Sequence, residues 1–242
     1  TTGGANAVSM GLQTTATASE SFALGSGTTT LGQSSMAFGT GSNTTAGAAN
    51  AVAMGLNAEA DGAQSFSLGT GTLSTGTESF ALGFNTVAGG IRSFALGEGT
   101  STDDAASHSI AAGQFSSTFA QSSLALGTGA TVVGGGDYSA SIGFGTSAGG
   151  VASLAVGSQT TTLGAQSVAL GLKTTANGDQ SFAMGSSSST TSNGVGAVAM
   201  GDTAVANGAQ AFSLGANTNS NGAQSFAMGS ATTANGDFSF AM

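Results

Sequence analysis

Few residues in this chain could do chemistry. Asp103, Asp104 and His108 fall within six positions and bring the only histidine beside two carboxylates, which could bind a cation. Two adjacent acids in a longer-than-usual segment fit a solvated loop better. Gly134-Gly135-Gly136-Asp137 has the look of a calcium-binding β-roll, but the nonapeptide repeat is missing and acids are too few. Gly25-Ser26-Gly27 and Gly69-Thr70-Gly71 are Gly-x-Gly phrases with no strand–helix unit after them and no P-loop Lys. One histidine in a repeat array gives no Ser–His–Asp set. The expectation is a protein that is not an enzyme, with no catalytic residue, no cofactor and no metal site.

Composition narrows the classes further. Of 242 residues 42 are Gly, none is Pro, Cys or Trp, and 5% are charged, with a net charge of −9. An ordinary globular surface carries about a quarter charged residues. Arg92 and Lys173 cannot neutralise a run of phosphates, so nucleic acid is excluded as a partner. Without Cys there is no disulfide framework and no thiol nucleophile. Apolar runs last only a few residues, so this segment inserts in no membrane.

The elements that must position any site come from a repeat. The phrase small–large apolar–small–large apolar–Gly recurs, as in Ser21-Phe22-Ala23-Leu24-Gly25 and Ser65-Phe66-Ser67-Leu68-Gly69. Its closing glycines run from Gly11 to Gly229 in steps of 14 or 16, and a seventeenth phrase ends the chain at Met242. No domain boundary fits into such regularity, which predicts a single repeat array over residues 1–242 of about 17 coils, read as a segment of a longer fibre. The 16-residue steps begin at Gly39, Gly97, Gly127 and Gly185, so that 16, 14, 14, 14 recurs over residues 39–96, 127–184 and 185–242. A second glycine, such as Gly62 or Gly76, follows the first by seven residues. Each coil thus reads as two short strands and two turns, with each glycine supplying a tight or left-handed backbone.

Counting positions from the closing glycine of a 14-residue coil assigns faces. Positions eleven and thirteen are large (Phe66 and Leu68, Phe182 and Met184), and the expectation places them inside. Positions three and five, such as Thr14 and Ala16 or Thr86 and Ala88, also face inward, small opposite large. Position two, as in Gln13, Asn57 and Asn85, is solvated. Positions ten and twelve, such as Ser93 and Ala95 or Ser167 and Ala169, are then left outside as a ladder of tiny side chains. That ladder predicts close packing between copies of the chain about its long axis. Position three is rich in Thr, as in Thr28, Thr72 and Thr146, but faces inward, and the outward position four is too irregular for ice binding.

Ser-Val-Ala-Leu-Gly at 167–171 and Ala-Val-Ala-Met-Gly at 51–55 and 197–201 resemble the head repeat of trimeric autotransporter adhesins, the YadA-like head. The spacers at 58–64 (Ala58, Ala60, Gly62) and 204–210 (Ala204, Ala206, Gly208) are similar to that family's as well. The resemblance covers Ala7 to Met242 and implies an all-β, left-handed parallel β-roll (a solenoid of 14–16-residue coils) in a side-by-side homotrimer. It also implies extracellular display at a bacterial surface, anchored in the outer membrane through a segment not present here. Phe replaces the family's Val at many positions, which predicts a wider coil.

The resulting expectation is an adhesin head that meets an extracellular protein, cell-surface or abiotic ligand through many weak contacts along a trimeric fibre. A phage or tailocin fibre shaft and a self-assembling extracellular filament are the competing readings. The longer segments at 43–47, 103–108, 132–136 and 188–196 are the expected places for individual recognition.

Overall fold

A computed structural model describes residues 2–242. It divides into two compact units, one running up to Ser122 and the other spanning Ser123–Met242. Both are built from parallel strands, with no helix among the described residues.

Each coil contributes one five-residue strand and one two-residue strand, as in Phe66–Thr70 followed by Leu73–Ser74. The long strands of a unit pair only with long strands, and the short with short, so each unit is a two-sheet parallel solenoid. The register is the sequence period itself. Phe66 lies beside Phe80 and Phe80 beside Phe94, while the 16-residue step sets Phe94 beside Ile110. The two extra residues are absorbed in consecutive turns between the short strand and the next long one, at 45–50 and 103–108 for example, so register survives them. No coil holds its backbone alone: Phe66 N donates to Ser79 O at 2.9 Å and Leu73 N to Thr86 O at 2.8 Å in the coil beyond.

The two glycine columns do different work. Gly69 has φ +135°, and a Cβ there would stand 1.9 Å from the carbonyl oxygen of Gly83, so both conformation and contact require glycine. Gly62 has no positive φ, contrary to expectation; it is needed because a Cβ would meet the Gly76 carbonyl at 2.0 Å. The left-handed turns fall instead on residues such as Asn57, Gln64 and Asn85, with φ of 53°, 58° and 50°. Asn57 and Asn85, both at position two, sit in solvent as expected, and Gln64, at position nine, is exposed as well.

The interior corrects the assignment of faces. Positions three and five are buried as expected: Thr28, Thr86, Ala60 and Ala88 are all fully enclosed. Positions ten and twelve, expected outside, are also buried: Ser93, Ala95, Ser167 and Ala169 line the core. Positions eleven and thirteen, expected inside, point out; Phe22, Phe66, Leu68 and Phe182 are half-buried, and Leu24 and Met184 are exposed. Thickness is the physical reason. Hydroxyls from the two strands of a coil touch directly, Ser74 Oγ to Ser79 Oγ at 2.6 Å and Ser67 Oγ to Thr72 Oγ1 at 2.7 Å, which leaves no space for a leucine between them. The largest fully buried side chain is Val132, and the others of that group are threonines. Nor does the Phe-for-Val exchange widen the coil, since the Phe side chains are not in it.

The core also has a pairing pattern. Where position twelve is Ser, the Thr five residues on has a partner: Ser141 donates to Thr146 at 2.8 Å and Ser213 to Thr218 at 2.7 Å. Where it is Ala, that partner is missing, and the hydroxyls of Thr28, Thr86, Thr100, Thr160 and Thr174 stay unbonded. Ala53 and Ala58, or Ala199 and Ala204, meet with no polar atom to satisfy. Serines and threonines fill this core because they are small, and where a partner faces them their hydroxyls bond across it.

Candidate functional site

The large side chains expelled from the interior form the most distinctive surface of each unit. Alternation along the five-residue strand sends its first and third residues outward, and the parallel register stacks them into two columns. The first-residue column includes Phe66, Phe80 and Phe94 in one unit and Phe212, Phe226 and Phe240 in the other. Their rings stack at centroid distances of 4.7 and 5.0 Å, and of 5.0 and 5.1 Å, within 10° of parallel. The third-residue column includes Leu68, Leu82 and Leu96, then Met184, Met200, Leu214 and Met228. Neither column contains a polar residue, and together they hold all seven methionines. Each side chain is shielded by those above and below and open on its outer side. Within each unit this unbroken pair of apolar columns on the long-strand face is an association surface.

Outside this strip the charged groups are dispersed, and single large apolar side chains such as Leu12, Leu163 and Phe238 are exposed among them. Asp103 and Asp104 are exposed, and Asp103 Oδ1 accepts from Ala105 N at 3.0 Å, a local turn bond. His108 sits in a left-handed turn in the coil after Arg92. Arg92 Nε donates to Glu78 Oε2 at 2.8 Å, and that guanidinium holds the Glu78 carboxyl below its usual range. Burial, with Glu59 nearby, pushes the Asp61 carboxyl up. Gly134 and Gly135 lie in open space at the turn edge. Among the described residues no three His, Asp or Glu side chains gather as a metal site would require. Gly27 and Gly71 of the Gly-x-Gly phrases are simply left-handed turn residues. The Thr column at position three is interior, as expected.

The alternation of sizes was visible in the sequence, but the outward face it creates was not identified there. The missing signal is that all four inward positions of a coil are small. The YadA head domain repeat matches residues 3–28, 46–72, 74–100, 106–130, 163–188, 192–218 and 220–242, each match about two coils long. No curated protein matches the chain. The matches cover most of the sequence, and the chain belongs to the YadA head repeat family.

Proposed function

We propose that this member of the YadA head family is the non-enzymatic head of a trimeric surface adhesin. Three chains lie side by side as left-handed rolls, their apolar strips turned to one another, and the trimer is displayed outside a bacterial cell. The strip carries this reading. Closing the open half of one Phe or Leu side chain contributes about 1 kcal/mol, and the contribution recurs at two columns in coil after coil. A lone protomer would leave that surface in water, whereas a trimer encloses it. Family membership supports the same assembly and the same cellular setting.

Adhesion follows from what is left outside. The short-strand face and the turns carry dispersed polar groups, few charges and single exposed apolar side chains, suited to weak contacts multiplied along three chains. The assembly is tested by the mass of the particle in solution, measured by light scattering. A particle of three chains is expected, and a monomer at micromolar concentration overturns the reading.

A further inference from the structure

We infer that one turn edge of the first unit, around Phe84, Glu98, Gln114 and Phe115, is a binding site for a neutral saccharide. The observations begin with backbone register. Phe84, Glu98 and Gln114 are the last residues of three successive long strands and lie side by side. The next residues, Asn85, Gly99 and Phe115, form the adjoining turn column, held by Gly99 N to Phe84 O and Phe115 N to Glu98 O, both 2.8 Å.

Phe115 is out of place in that column. Its φ is 53°, in the left-handed region that a bulky side chain disfavours, and its counterparts are Gly27, Gly41, Gly71, Gly99, Gly129 and Gly145 or small and polar residues. Nothing in the fold needs a phenylalanine there. Its ring lies with the Cδ1–Cε1 edge over Gly99, where a Cβ would come within 2.6 Å, so the glycine beneath makes room for the ring. The ring is 58% exposed and Phe84, two coils back, 50%. Between the two aromatics, Gln114 Nε2 donates to Glu98 Oε2 at 3.0 Å, which leaves further amide and carboxylate capacity facing solvent.

The combination selects a ligand. A sugar ring has an apolar C–H face that settles on the negative face of an aromatic ring, and an edge of vicinal hydroxyls that fits a carboxylate–amide pair. An apolar protein surface would bury the Glu98 carboxylate with only the Gln114 amide to offset its lost hydration. An anionic glycan would meet that carboxylate and a chain of net charge −9, with Arg92 already paired to Glu78. Two rungs of the solenoid separate Phe84 from Phe115 by about 10 Å, the reach of two linked sugars.

The site gives the adhesive reading a ligand class, and rests on it in supposing that the turn edge stays open in the assembly. The test titrates the full chain by calorimetry with lacto-N-neotetraose, cellotetraose and maltotetraose, and with sialyllactose as charged control. At least one neutral tetrasaccharide is expected to bind at millimolar concentration, and sialyllactose to bind at least tenfold more weakly. Phe115→Gly, which places a residue native to that turn, is expected to weaken binding at least tenfold with no fall in melting temperature and no change in particle mass. No binding by any neutral probe, or equal binding by the variant, overturns the site. A loss of particle mass in Phe115→Gly also overturns it, because the ring would then be covered by a sister chain. A monomeric wild type that still binds sugar through Phe115 would remove the trimer and keep the site.

Discussion

The inside of a coil and its outer strip invert the usual distribution of side chains. Inside lie Ala, Ser and Thr, many of them polar and fully buried; outside, on the long strands, lie Phe, Leu, Met and Val. Size decides the side here. The interior of one coil is a single layer of small side chains, so a residue enters only if it is short, and a hydroxyl is carried with or without a partner: Thr72 bonds Ser67 across the gap, whereas Thr86 bonds nothing. Large apolar residues still need cover, and a second chain can supply it. Stability of the coil and association of coils therefore reside in alternate residues of one strand.

That division is most sharply tested by placing the same charge on either side of it. Ala95→Glu or Ala169→Glu puts a carboxylate into a space that holds a methyl group, and overpacking combined with an unpaired buried charge costs on the order of 4–5 kcal/mol or more. Loss of β-structure by circular dichroism is expected. Leu96→Glu or Leu170→Glu, one residue further along, should leave the coil intact and abolish the proposed trimer, so that light scattering falls to the protomer mass while the spectrum persists. The comparison breaks if Ala95→Glu keeps the spectrum and loses only assembly, which is what an outward alanine ladder would give.

Much of the scaffold was legible before any coordinates. The glycine steps give the strand pairs residue for residue, Phe80 beside Phe94 and Phe94 beside Ile110, because a solenoid turns period into register. Positions three and five were placed correctly, since a solvated position two fixes the phase of the short strand. The long strand was placed in the wrong phase because apolar-in was applied to an interior of assumed width. Ser67 opposite Thr72 and Ala53 opposite Ala58 carried the right phase as hydroxyl and methyl complementarity across the coil. The Phe84–Phe115 edge was not legible at all. Its meaning depends on Phe115 lying over Gly99 of the previous coil, a contact that appears only once coils are stacked.

The pairing inside the core allows a milder test. Ala81 lies beside Ser67 in register, so the stack already accepts a serine at that position. Ala81→Ser gives the unbonded Thr86 hydroxyl the partner that Thr72 has, and a stabilisation of about 1 kcal/mol is expected. Ser67→Ala should cost about the same, leaving Thr72 in the state of Thr86. Denaturant melts of both variants check the pair, and shifts of the same sign would show that the hydroxyls are not bonding across the interior.

The smallest effect is expected at Asp61, at the edge between interior and surface. Burial first, and Glu59 second, raise its carboxyl pKa above the ordinary 3.8. The folded chain therefore holds that proton more tightly than the unfolded one, and stability falls as pH rises from the unfolded pKa through the folded one. Asp61→Asn removes the ionisation. It should leave stability unchanged well below pH 3.8 and raise it at neutral pH, by a few tenths of a kcal/mol because much of the group faces screening solvent. Thermal melts of both proteins at pH 3 and pH 7 supply the four values required. An advantage confined to pH 3 would mean that the carboxylate is favoured by its surroundings, and Asp61 would then belong with the solvated surface rather than with the edge of the core.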